Sequence, residues 1–173
     1  DAAQRRRFDL GTNPESQYEF WAQREHSDLQ IRNCGVFGER TDEIVRRLED
    51  CAQGADAIVI QGGVNDLVQG FPVDVIAANL RGMVQAAKEM NLDVALAEIL
   101  PVNKAPAQGD VLIRELNRRI HEIGSSEDVE VLPFYETLQD RTLGVVRGLI
   151  TLIESRNAFD CGSTEQVVRY TQA

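Results

Sequence analysis

The sequence predicts an α/β domain in which helices cover both faces of a parallel sheet. Three observations carry this. Short β-rich apolar runs alternate with longer stretches of helical period, and the connections are only a few residues long. The strand runs are nearly continuous in apolar residues, which fits strands buried on both sides.

Leu29-Gln30-Ile31-Arg32 alternates apolar and polar and reads as a short strand. Residues 41–53 place Ile44, Val45, Leu48, Cys51 and Ala52 on one helical face, with acidic residues early in the first turn. Asp56 to Ile60 reads as a buried strand. Pro72 then opens a helix with Ile76, Leu80, Met83, Val84 and Ala87 inward. Leu92 to Leu100 is the next strand, stopped by Pro101. Asp110 is placed as the N-cap of a helix carrying Leu112, Ile113, Leu116, Ile120 and Ile123, closed by Gly124. Val129 to Leu132 is a further strand. Toward the ends, 16–24 reads as a helix with Tyr18, Trp21 and Ala22 inward, and 164–172 as helix-like. The apolar stretch 141–153 fits either a helix on the sheet or an edge strand.

The chain has 173 residues, 43% of them apolar, and 18 basic against 28 acidic side chains give a formal charge of −10. This length suits one domain with a real core, spanning residues 1–173. The acidic balance, with Lys88 and Lys104 the only lysines, argues against a nucleic-acid partner. Arg5-Arg6-Arg7 reads as a solvated tail. No run reaches the roughly 18 apolar residues that cross a bilayer. No secretory leader opens the sequence, so the reading is a cytoplasmic chain or a mature form whose leader has been removed. Two histidines and three cysteines without ligand spacing predict no metal and no cofactor. Cys34, Cys51 and Cys161 read as small packing residues.

Ligands of a parallel α/β sheet bind beyond the carboxyl ends of its strands. Two Gly-rich turns leave strands there: Asn33-Cys34-Gly35-Val36-Phe37-Gly38 and Gln61-Gly62-Gly63-Val64-Asn65-Asp66. An N–H from Gly35 and the side-chain amide of Asn65 could together hold an anionic oxygen, an oxyanion hole in the physical sense. Either turn alone reads more readily as a tight strand-to-helix connection.

Taken together, Asn33-Cys34-Gly35 and, about thirty residues on, Gly63-Val64-Asn65-Asp66 resemble the second and third sequence blocks of the SGNH hydrolases, the GDSL-type esterases and lipases. The similarity extends over roughly residues 8–135. It implies a three-layer α/β/α sandwich with a flavodoxin-like sheet, and hydrolysis of small acyl esters or thioesters by a Ser-His-Asp triad. Gly35 N–H and Asn65 Nδ2 then match two oxyanion donors. Asp66 caps nearby N–H groups rather than acting chemically.

The first and last blocks depart from the family pattern. No Gly-Asp-Ser is present. If Asp1 matches the family aspartate, Ala2 stands at the nucleophile position. Asp160 fits the triad aspartate, but Ser163 stands where histidine is expected, and His26 and His121 read as ordinary surface or packing residues. The nucleophile and the histidine are thus unassigned. The family's central strand is missing too, which would leave buried N–H and C=O groups unpaired. Either a segment such as 141–153 fills that slot, or the sequence is a truncated or altered version of a longer parent. The second is favoured because both ends fail to match while the middle matches. An unfilled slot would also make strand exchange into a homo-oligomer feasible. The alternative to an esterase is a catalytically inactive protein of the same fold that binds a ligand or partner. A phosphate or nucleotide binder is disfavoured, since neither a P-loop nor a dinucleotide fingerprint is present.

Overall fold

In the computed structural model, residues 18–27, 29–101, 107–137 and 167–172 are described. Helix α1 (Tyr18–Glu25) leads into β1 (Gln30–Asn33), followed by the short helices α2 (Thr41–Val45) and α3 (Leu48–Ala52). Next come β2 (Ala57–Gln61), α4 (Val64–Val68), α5 (Val73–Glu89), β3 (Asp93–Ala97), α6 (Ala107–Glu127), β4 (Glu130–Leu132), α7 (Phe134–Thr137) and β5 (Val167–Gln172). The sheet order is β1-β5-β2-β3-β4 and every pairing is parallel. This is the α/β sandwich expected from the sequence.

Side chains alternate across β2, as strand geometry requires. Ile58 and Ile60 face a core built with Ile76, Leu80, Met83 and Val84 of α5 and Leu116, Ile120 and Ile123 of α6. Val59 faces the other way, onto Ala22 of α1, Ala95, Ala97, Leu132 and Phe134. The five inward residues expected of α5 are all buried.

Four local expectations are corrected. The helix expected over 41–53 breaks at Arg46–Arg47 with no Gly or Pro to cause it. Arg47 N–H instead bonds back to the Ile44 carbonyl at 3.0 Å, tightening the last turn. Helix α6 starts before Asp110, so Asp110 lies inside its first turn rather than capping it. Gly124 does not close α6. A Cβ there would stand 2.4 Å from Val131 Cγ2, so the glycine permits the helix to lie against β4. Asp128, at φ 53, makes the actual stop, and Val129 N–H returns to the Gly124 carbonyl at 3.0 Å. Finally, 167–172 is a strand, not a helix. It fills the central slot, pairing β1 from Gln30↔Val167 to Asn33↔Tyr170 and β2 from Ala57↔Val168 to Gln61↔Gln172. The segment 141–153, named for that slot, lies outside the described residues. No described helix is long and apolar enough to cross a membrane.

Candidate active site

The parallel order brings the turns after β1 and β2 to the same, carboxyl-terminal edge of the sheet. At the second turn, Gly63 has φ +123, and a Cβ there would stand 2.7 Å from Leu116 Cδ2 and 2.9 Å from Ile76 Cγ2. Only glycine fits both the backbone and the space. The turn delivers Asn65 and Asp66 to the first turn of α4.

These two side chains reach across to the first turn. Asn65 Nδ2 donates to the Glu39 carbonyl at 2.8 Å. Asp66, 1% exposed, accepts the Thr41 N–H at 2.9 and 3.2 Å and the Thr41 hydroxyl at 2.6 Å. It therefore holds the start of α2, the capping role expected for it. Thr41 Oγ1 in turn accepts from Asn79 Nδ2 at 2.9 Å, which ties α5 into the same network.

In the loop after β1, Gly35 N–H donates to Asn33 Oδ1 at 2.8 Å. Further on, Glu39 N–H reaches the Val36 carbonyl at 3.3 Å, closing a turn with Gly38 at its third position and φ +82. That is the place where a type II turn requires glycine. Sequence reasoning passed over Gly38. The available signal was the second glycine of Gly35-Val36-Phe37-Gly38, placed just before the residues that enter α2.

Cys34 and Cys51 do not pack as separate thiols: they form a disulfide across 17 positions. Arg47 adds a second brace. Its Nη1 donates to the Cys34 carbonyl at 2.9 Å, and its Nε lies 3.0 Å from both carboxylate oxygens of Glu39. Arg40 donates to Asp42 at 2.8 and 3.1 Å and lies over the Phe71 ring, 5.2 Å from its centroid. The hydrogen bond from Arg40 holds the Asp42 carboxyl below the ordinary carboxylate range. Phe37 on the first turn, Val68 at the end of α4 and Phe71 just beyond it are exposed.

Among the described residues neither histidine is bonded to Asn65 or to the 33–39 loop. His26 precedes β1, and its carbonyl accepts Leu29 N–H at the opposite edge of the sheet. His121 Nε2 is 2.7 Å from Glu98 Oε1, whose other oxygen accepts the Tyr135 N–H at 2.8 Å. Asp1, Ala2, Asp160 and Ser163 lie outside the described residues.

The strand-turn-helix pair carries glycine, asparagine and aspartate in the order that the resemblance to the GDSL-type hydrolases implies, and comparison with known proteins identifies the family. The GDSL-like lipase/acylhydrolase family model matches residues 7–151, and the chain belongs to this family. It is 27% identical over 111 residues to an arylesterase from Vibrio mimicus, a match covering 62% of this chain and 54% of the arylesterase. The chain thus spans about half the length of that curated relative. The fold resembles that of the psychrotrophic esterase EstA from a Pseudoalteromonas species, with TM-score 0.66, 19% identity, and coverage of 86% of this chain and 91% of that one. It also resembles a G-D-S-L family lipolytic protein from Veillonella parvula, with TM-score 0.67, 16% identity, and coverage of 87% and 90%. At these identities the structures speak for the fold.

Proposed function

We propose that the chain hydrolyses small acyl esters, with Asn65 and a backbone N–H of the 33–39 loop stabilising the oxyanion. The observation that carries this is the Asn65 side chain. One of its two amide hydrogens is spent on the Glu39 carbonyl, which fixes the group, and the other remains for a substrate oxygen. A donor fixed before the reaction needs no reorganisation as charge develops on the acyl oxygen. Gly35, the backbone donor expected from sequence, has its N–H committed to Asn33 Oδ1. The better assignment is Gly38, whose turn stands directly beside the Glu39 carbonyl that Asn65 holds. The exposed Phe37, Val68 and Phe71 supply apolar surface for an acyl or alcohol group. Asp160 keeps its assignment as triad aspartate by resemblance alone.

The test is hydrolysis of p-nitrophenyl acetate by the chain and its Asn65→Ala variant. Losing one oxyanion donor should lower kcat about 100- to 1,000-fold. An unchanged rate rejects the assignment. Ala2 and Ser163 at the expected nucleophile and histidine positions favour a second reading, an inactive protein of this fold that binds a ligand. A fluorophosphonate probe separates the two: stoichiometric labelling of one serine supports the hydrolase, and no labelling supports the binder.

A further inference from the structure

We propose that Arg47 is a positioning residue: its guanidinium, with the Cys34–Cys51 disulfide, locks the 34–39 loop so that the Gly38 N–H stays beside Asn65. The inference rests on the ester-hydrolase reading of this site.

One side chain touches both ends of the loop. Arg47 Nη1 takes the Cys34 carbonyl at 2.9 Å, while Nε and Nη2 take the Glu39 carboxylate. Glu39 is only 6% exposed, so its charge is held by a partner rather than by water. The Glu39 main chain is the same unit that receives the Asn65 amide. The guanidinium therefore fixes, through one residue, both the end of the loop and the seat of the side-chain donor. The disulfide fixes the other end from α3, the helix that Arg47 itself precedes. Arg32 Nη2 adds a bond to the Asp50 carbonyl at 3.1 Å and another to the Cys51 carbonyl, holding the end of α3 against β1.

This arrangement also explains the break between α2 and α3. Arg47 sits at φ −110, ψ −2, outside regular helix, as the residue preceding α3. The task needs a planar fork with several fixed donors. A lysine ammonium carries the charge but cannot span a carbonyl and a carboxylate in one rigid plane.

The experiment compares Arg47→Lys, Arg47→Met and Arg46→Met in the oxidised full chain. Arg46 is the exposed neighbour, with a side chain 73% exposed and paired to Asp42. Steady-state kinetics with p-nitrophenyl acetate should show kcat falling about 10- to 100-fold in both Arg47 variants, since misplacing a catalytic group by about 1 Å costs that order. KM should stay within about twofold, and Arg46→Met should match the wild type. Arg47→Lys guards against a variant that merely fails to fold. A second readout does not need turnover: amide hydrogen exchange at Glu39, whose N–H closes the 36–39 turn, should accelerate at least about tenfold in Arg47→Lys with the α5 amides unchanged. Wild-type kcat in a folded Arg47→Met chain, or unchanged Glu39 exchange, overturns the proposal. A wild-type chain without esterase activity defeats the functional reading, and the exchange measurement then decides the clamp by itself.

Discussion

Replacing Asp66 with alanine should cost the protein about 3 kcal/mol while leaving in place Asn65, the oxyanion donor proposed above. The carboxylate is 1% exposed and accepts two donors of Thr41, which is itself 0% exposed. Alanine leaves the Thr41 N–H and hydroxyl without the carboxylate that accepts both, where water does not enter. Each stranded buried donor costs about 1–3 kcal/mol, and relief of the buried charge returns part of the sum. For a chain of this length, about 3 kcal/mol corresponds to a Tm lower by about 6–12 °C. Asp66→Asn keeps the shape and one acceptor oxygen and should lose about half as much. Urea titration followed by circular dichroism measures both, at constant m value. A double change with Thr41→Val removes the hydroxyl as well, and its cost should fall short of the sum of the single costs. An Asp66→Ala protein within about 0.5 kcal/mol of wild type would refute the capping argument. A stable variant with collapsed turnover would instead place Asp66 in the reaction.

Two further measurements probe other parts of the frame. The Tyr135 hydroxyl, 2.6 Å from Asp110 Oδ1, is the main reason that the Asp110 carboxyl lies below its ordinary value, with Arg114 second; the same bond raises the Tyr135 phenol. A depressed carboxyl stabilises above its unfolded pKa and loses the effect as pH falls through the folded one, whereas a raised phenol stabilises below about pH 10 and loses it above. Tyr135→Phe should therefore move Asp110 titration upward in carboxyl NMR, and its stability deficit should shrink at both pH extremes; a deficit constant with pH contradicts this. Reducing the Cys34–Cys51 bond releases a loop of 17 positions, worth about 3 kcal/mol of chain entropy and about 6–12 °C of Tm. Dithiothreitol should lower the Tm of the wild type but not of a Cys34→Ser/Cys51→Ser protein, and an unmoved Tm in a chain shown to be reduced counts against the bridge.

What could be read from sequence was local. The stripe Ile76, Leu80, Met83, Val84, Ala87 and the run Ala57–Ile60 follow from period and composition alone, because each element buries its own apolar face. What escaped depends on distant partners. The break at Arg47 is tied to Cys34 and Glu39, which no helical pattern encodes. Gly124 resembles a stop signal in sequence, yet its missing side chain is filled by Val131. Cys34 and Cys51 carry no spacing signature, since their pairing follows from how α3 packs beside β1. Between Gly35 and Gly38 the sequence offers only position, Gly38 standing nearer to α2. The bond from Gly35 to Asn33 and the positive φ of Gly38 separate them. For β5 a signal was present, since Val167, Val168, Tyr170 and Thr171 are β-branched or aromatic.

That last strand sets the sharpest condition on the whole fold. β5 stands between β1 and β2, and its backbone serves both. Its register covers Gln30 to Asn33 on one side and Ala57 to Gln61 on the other. On β2 these residues are entirely buried, so an unpaired N–H or C=O there finds no water. At about 1–3 kcal/mol for each stranded group, losing the partners along both β1 and β2 is comparable to the roughly 5–15 kcal/mol that keeps a domain folded. A chain lacking residues 167–172 should therefore not reach a cooperative fold, and should expose apolar surface to a dye such as ANS. A synthetic peptide of that segment added in trans should restore a cooperative transition by entering the same slot. If the shortened chain melts cooperatively at the wild-type temperature, β5 contributes nothing to the sheet, and the meeting of the β1 and β2 turns at Asn65 must rest on other contacts.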